Sequence, residues 1–244
     1  ALACGSHSGS KLHSREAFKI LWEYDIDINN LKCPKSKTSP LEHNCSGKHA
    51  AFLATCKKMN WPLDSYLKGD HPLQIEIFRI VSELLEIPSS EINAERDDCG
   101  APTLYLKLLE MSRLYSLLSS SENAELEQIS RAMAINPIMI SDNNKFDTEI
   151  IKASHGNVIG KGGAEGIQCL CKVNEGIGLA LKVEDGSKRA KHAVSLHLLK
   201  QLEWISDLRI QDIEEKVFNF PEGVRLEVKL SLIHISEPTR RTPI

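Results

Sequence analysis

"NVIGKGGAEGIQCLCKVNEGIGLALKV", Asn157–Val183, contains three short apolar runs, "NVIGKG", "IQCLCKV" and "IGLALKV". Gly/Ala/Glu and Asn/Glu/Gly turns separate them, and short apolar runs bounded by such residues read as strands. The "NEG" turn is short enough to close a hairpin, so the last two runs predict an antiparallel pair. One more strand is predicted at "RLEVKL", Arg225–Leu230.

Around this block the period changes to that of a helix. "REAFKILWEY" places Phe18, Leu21 and Tyr24 on one stripe, and "HPLQIEIFRIVSELLEI" does the same with Leu73, Ile77, Ile80, Val81, Leu84 and Leu85. Pro72 falls near the start of the second helix, where a missing N–H is harmless. Further helices are predicted at Thr103–Leu118, Ala124–Ala134, Asp147–Ala153 and Ser187–Trp204, with the Ser-rich Ser116–Asn123 as a helix stop and N-cap. Helices first, then antiparallel strands and a long helix, predict an α+β fold with helices packed on an antiparallel sheet.

The 244 residues are 41% hydrophobic and 26% charged, a balance that supports a packed core. The net charge is −3 and no basic stripe is present, so nucleic acid is not an expected partner. No apolar run approaches the roughly 20 residues that span a bilayer, so no membrane partner is expected either. Seven scattered cysteines, an odd number, point to reduced thiols and a cytoplasmic protein. Ala1 opens on an apolar "ALAC" that reads like the middle of a strand, and truncation at this end is expected. "LSLIHISEPTRRTPI", Leu230–Ile244, resembles an in-frame translation of a sequencing adaptor and is set apart as non-native, leaving one domain over 1–229.

Chemistry-bearing residues concentrate in three places. "EHNCSGKHAAFLATC", Glu42–Cys56, resembles the end of a phosphate loop, but that loop needs Gly where Glu42 stands and Ser/Thr where His49 stands. As a metal site it places Cys45 and Lys48 side by side on a first helical turn, where the helix terminus favours a thiolate. Cys99 in the polar "ERDDCGAPT" is the natural remote partner, beside Asp97 and Asp98, and two thiolates suit zinc. Buried structural thiols at a helix start are the plain alternative. In "VIGKGGAEGIQ", Lys161 ends a short strand, the two glycines after it let backbone N–H groups approach a substrate, and the N–H groups near Gly162–Ala164 are expected to help hold an oxyanion. A simple turn explains the same residues. "ALACGSHSGSKLH" presents Ser6, His7 and Ser8, and a serine near a neutral lysine is activated when the amine takes its proton. A neighbouring cation or desolvation must lower the lysine for that role. Ser8 and Lys11 spell S-x-x-K, but in a Gly-rich loop, where the spacing is coincidental. Cys169 and Cys171 share a strand face and read as core.

Taken in order, "ACGSHSG", "EHNCSGKHAAFLATC", "DDCGAPT", "GKGGAEGIQ" and "ALKVEDGSKRA" resemble the asparaginase II family, the rhizobial-type or class 3 L-asparaginases. The resemblance covers nearly all of 1–229. It implies a fold similar to serine β-lactamases and glutaminases, a homodimer, and hydrolysis of L-asparagine to aspartate and ammonia by two serine–lysine pairs. The second pair falls on Ser6 and Lys161, and the Zn2+ ligands fall on Cys45, Lys48 and Cys99. Asp97, His49 and Gly163 fall among the expected substrate-side residues. The family's first pair, an S-x-x-K, lies upstream of "ALAC", so this 244-residue chain is expected to be inactive alone. Ser10 stands where relatives carry an acidic residue. The alternatives are a glutaminase or penicillin-recognising hydrolase on the same fold, or an inactive zinc-stabilised module.

Overall fold

The computed structural model describes residues 1–36 and 38–218. The predicted strand at Arg225–Leu230, the end of the 1–229 domain and the 230–244 tail lie outside the described residues. The chain forms α1 (Lys11–Glu23), α2 (Ser46–Lys58), α3 (Pro72–Leu85), β1 (Ala94–Arg96), β2 (Pro102–Leu104), α4 (Leu108–Ser119), α5 (Ala124–Ile135), α6 (Pro137–Ile140) and α7 (Phe146–Ala153). It continues with β3 (Val158–Gly162), β4 (Ile167–Lys172), β5 (Ile177–Lys182), α8 (Lys188–Gln201) and α9 (Asp207–Val217). The fold is α+β, as expected.

The three strands of the opening stretch form one antiparallel meander, β3–β4–β5. Lys172 pairs with Ile177 across the predicted "NEG" turn. Residues on alternating positions face opposite ways, and both faces are covered. On one face Val158 and Leu170 meet Phe146, Ile150, Leu196, Leu199 and Ile213 from α7, α8 and α9. On the other, Ile159 and Cys171 meet Met133, Ile140 and Ile151, with Tyr115 and Leu118 of α4 against them. Cys169 and Cys171 are buried there, as read from the sequence, and burial pushes their thiols up to about 11 and about 12. All seven cysteines are free.

A separate core of Leu21, Ile26, Leu31, Cys33, Ala50, Leu53, Cys56, Tyr66 and Leu73 organises α1, α2 and α3. Each fully buried Leu or Ile contributes about 1.5–3 kcal/mol relative to exposure. Pro72 takes the first position of α3, and Asn123 caps α5 by accepting from Leu126 N at 2.9 Å, both as predicted. Arg113 of α4 ties the two regions, donating to Leu85 O at 2.8 Å and pairing with Glu86 at 2.8 Å.

Three expectations need correction. "ALAC" is a single 3-10 turn, Leu2–Cys4, because the residues after it pair with loop carbonyls and not with a strand. The helix expected from Thr103 begins at Leu108, since Pro102–Leu104 pairs with Ala94–Arg96 as a short hairpin. The buried stripe of α1 is His13, Ala17 and Leu21, and Phe18 lies exposed. Among the described residues no helix is long and apolar enough to cross a membrane.

Gly178 shows how tightly α4 seats on the sheet. A Cβ there would lie 2.1 Å from Ser112 O and 2.3 Å from Ser116 N, both backbone atoms of α4. Gly178→Ala is therefore expected to destabilise the protein by about 1–3 kcal/mol, the usual cost of overpacking. A thermal or denaturant melt measures it, and an unchanged midpoint would refute the close approach.

Candidate functional site

Ser6, His7 and Ser8 run between two parts of the structure. Ser6 N donates to Ile140 O (2.8 Å), His7 N to Asn44 O (3.2 Å) and Ser8 N to Ser141 O (3.0 Å). The half-buried Ser6 hydroxyl accepts from Asn44 Nδ2 at 2.9 Å. His7 turns inward and is buried, accepting from Gly9 N at Nδ1 (3.1 Å). Its Nε2–H donates to Ser46 Oγ (3.3 Å), whose own proton goes to Leu41 O (2.8 Å). His13 stacks on His7 with centroids 4.6 Å apart, accepts from Ser10 Oγ (2.8 Å) at Nδ1 and donates to Ile138 O (2.9 Å). This pattern uses both rings as neutral Nε2–H tautomers. Burial, then His13 and His43, lower His7 to about 4, against the opposite pull of Asp142. Ser8 donates to Asp142, and Lys11 is the first residue of α1.

Cys45 is the N-cap of α2 and Lys48 lies in its first turn, the predicted arrangement. The β1–β2 hairpin presents Asp97 and Cys99 opposite them; its turn is closed by Asp97 N on Ala101 O (2.9 Å) and Gly100 N on Asp97 O (2.8 Å). The donor atoms of Cys45, Asp97 and Cys99 all lie within 4.8 Å of one another. Lys48 Nζ is 3.8 Å from Asp97 Oδ2. The two thiols titrate as a pair: the hydrogen bond with Cys45 holds Cys99 well below the thiol range, and Cys45 keeps its own proton correspondingly tightly.

His49 is wholly buried behind this cluster. Tyr66 Oη accepts from Lys32 N (3.0 Å) and lies 2.7 Å from His49 Nδ1; where the phenol gives its own proton to the ring, Nε2 carries the imidazole proton. The imidazole Nε2–H then has no hydrogen-bond partner of good geometry, yet lies close enough to Cys99 to favour its thiolate. A buried unsatisfied donor beside two thiols, a carboxylate and an amine fits a cation-binding set, with His49 supporting a ligand sulfur from behind.

Lys161 projects from β3 to the face that also receives Ala1 and Cys4, so the Ser6 segment and Lys161 share one side of the sheet. Lys161 Nζ donates to Gly162 O, while Ser6 is held by Asn44. The backbone N–H groups beyond Lys161 are engaged: Gly162 N on Asp147 Oδ2 (2.8 Å) and Gly163 N on Ile167 O (2.8 Å). The oxyanion role expected of these two N–H groups therefore has no free donor at either position. Lys182 and Asp185 serve the β5 end and its turn, bonding Val183 O and Ser187 N.

Sequence reading missed Asn44, although it sits inside "HNCSGKH". It also missed Asp147, Gln168 and Lys191, which lie together under the Lys161 turn. Only the polar Gln168 within an apolar strand run gave any signal for that group.

Compared with known families, residues 1–228 match the model described as L-asparaginase II. Comparison with curated proteins gave no match.

The burial of His7 makes stability pH-dependent. His7 is about 4 in the folded protein and about 6.5 unfolded, so the unfolded chain takes up the proton first on acidification. Its contribution is intact above about pH 6.5 and falls away toward pH 4 by an amount on the order of 3 kcal/mol. Urea melts of the protein and of His7→Gln across that range measure it; an equally steep loss in the variant would exclude His7.

Proposed function

The chain belongs to the L-asparaginase II family, and on that premise we propose that it is an amidohydrolase that cleaves the side-chain amide of L-asparagine to L-aspartate and ammonia. The observation that carries this reading is Asn44. Its side chain holds the Ser6 hydroxyl at 2.9 Å, and the next residue, Cys45, closes the Cys45–Asp97–Cys99 cluster. Adjacent residues of one turn thus hold the candidate hydroxyl and contribute to the candidate metal-binding set, which supports the reading. The β-lactamase/glutaminase-like fold is proposed with it, on the strength of a three-stranded meander covered by helices on both faces.

In this mechanism a serine hydroxyl adds to the amide carbon and its proton passes to the Lys161 amine through Ser6. Collapse of the tetrahedral adduct breaks the C–N bond, and the lysine ammonium returns the proton to the departing ammonia. Water then repeats the sequence on the acyl ester and frees aspartate. Lys161 must swing from Gly162 O to reach Ser6, a motion its four-carbon stem permits. Zn2+ would be held by Cys45, Lys48 and Cys99 with Asp97 alongside; bound there it supplies positive charge that anchors the substrate carboxylate. Asn44 orients Ser6, His49 steadies Cys99, and Gly163 forms the wall of the turn next to Lys161.

Ammonia release from L-asparagine, L-glutamine and a β-lactam by the protein expressed from its native gene tests the substrate assignment. Release from asparagine with a drop on the order of a hundredfold or more in Lys161→Ala is expected. Preference for glutamine or the lactam moves the protein to the neighbouring hydrolase reading, and wild-type turnover in the variant removes Lys161 from the mechanism. Metal analysis should find about one zinc per chain, with proton release on binding. Cys99→Ser should weaken zinc at least tenfold, and unchanged zinc content there would reject the site.

A further inference from the structure

Beneath the Lys161–Gly162–Gly163 turn, on the sheet face away from the Lys161 side chain, lies a group of buried charges that the proposed mechanism does not use. Lys191 of α8 is 4% exposed, and its Nζ donates to Ile167 O (3.1 Å) and Gly163 O (3.3 Å). Asp147 of α7 is also buried and accepts from Gly162 N and from Gln168 Nε2, each at 2.8 Å. A Cβ on Gly162 would lie 2.8 Å from Lys191 Nζ, 3.2 Å from Gln168 Oε1 and 3.4 Å from Asp147 Oδ2. Gly162 is therefore the floor on which an ammonium, a carboxylate and a carboxamide converge, and only glycine leaves them room. His192, next to Lys191, stacks on Phe146 at 4.0 Å and fixes α8 against α7.

Burying an ammonium is costly, and two backbone carbonyls are a modest return for a fold that has apolar residues to spare. The placement makes more sense for the turn's neighbour. A lysine that is to accept a proton needs desolvation or a nearby cation. Lys191 is that cation: its Nζ binds Gly163 O while the Lys161 Nζ binds Gly162 O, so two ammonium groups hang from successive carbonyls of one turn, and Lys161 is among the charges that lower Lys191. The other groups facing Lys191 are Asp147, Cys169, Lys188 and His192; those facing Lys161 from its own side are Cys4, Cys169 and Tyr115.

We propose that Lys191 is a positioning residue which clamps the Lys161 turn by its carbonyls and, through its fixed positive charge, biases Lys161 toward acting as a proton acceptor. This rests on the amidohydrolase reading for its purpose, but the electrostatic coupling is tested without it. Lys161 is acylated with acetic anhydride across a pH series and its labelling read by mass spectrometry, in the wild type and in Lys191→Gln, Lys191→Met and Lys191→Arg. Lys191→Gln keeps a donor for the carbonyls, so it separates charge from scaffolding and provides a folded variant should Lys191→Met fail to fold. Both neutral variants are expected to move the labelling midpoint of Lys161 upward by about half a pH unit or more, with Lys191→Arg close to wild type. The acid limb of the ammonia-release profile moves the same way, with kcat falling more than KM rises. A labelling midpoint that stays put in Lys191→Gln overturns the proposal even where asparagine is hydrolysed. A protein that shows the shift without hydrolysing asparagine sustains the coupling and overturns the substrate reading alone.

Discussion

Three backbone hydrogen bonds along Ser6–His7–Ser8 fasten the helical region to the sheet region. One side of this seam is the end of α6, which packs on the sheet; the other is the turn that starts α2, which belongs to the α1–α3 core. Every element of the site is referred to it. Ser6 gains its direction from it, Asn44 contributes both a backbone carbonyl and a side chain to it, and Cys45 follows immediately as the cap of α2. Because the seam uses backbone groups, its geometry is set before any particular side chain is chosen.

The site is unusually polar for its burial, and the cost is met in pairs. His7, Ser46 and Leu41 O form one donor–acceptor chain, Ser10, His13 and Ile138 O form a second, and Tyr66 with His49 forms a third. Asp147 takes two donors and Lys191 two acceptors. Among the described residues His49 Nε2, Gln168 Oε1 and Ser130 Oγ are buried without a hydrogen-bond partner. The first faces the thiol cluster and the second the Lys161 turn, two places where chemistry is proposed, while Ser130 belongs to α5.

Much of this was legible in the sequence, for reasons that also explain the remainder. The meander could be read because turn residues bracket short apolar runs, and Cys45 with Lys48 because first-turn spacing is a local rule. The β1–β2 hairpin could not: its strands are three residues long and carry Glu95 and Arg96, too short and too charged for alternation to register. Helical period put Phe18 on a stripe with Leu21 and Tyr24, whereas α1 lies against its neighbours through the small Ala17 and the hydrogen-bonded His13. Asp147 and Lys191 were invisible because a charge on an amphipathic helix reads as solvent-facing, and only the tertiary fold shows that this pair turns toward the sheet. Ser6 and Lys161 came from family resemblance and not from spacing, since 155 residues separate them.

The heptapeptide His43–His49 has almost no idle side chain. His43 accepts from Cys45 N, Asn44 holds Ser6, Ser46 joins His7 to Leu41 O, Lys48 pairs with Asp97, and His49 meets Tyr66. The partners outside the stretch lie on the Ser6–His7 segment, at Leu41, at Tyr66 and on the β1–β2 hairpin, so the stretch answers to several pieces of backbone at once. In a mutational library this stretch would stand out as a block of near-zero tolerance flanked by helix positions such as Thr55, Lys57 and Lys58 that accept most residues. Its sequence is a record of simultaneous geometric conditions, and drift along it is confined to changes that satisfy several partners at once.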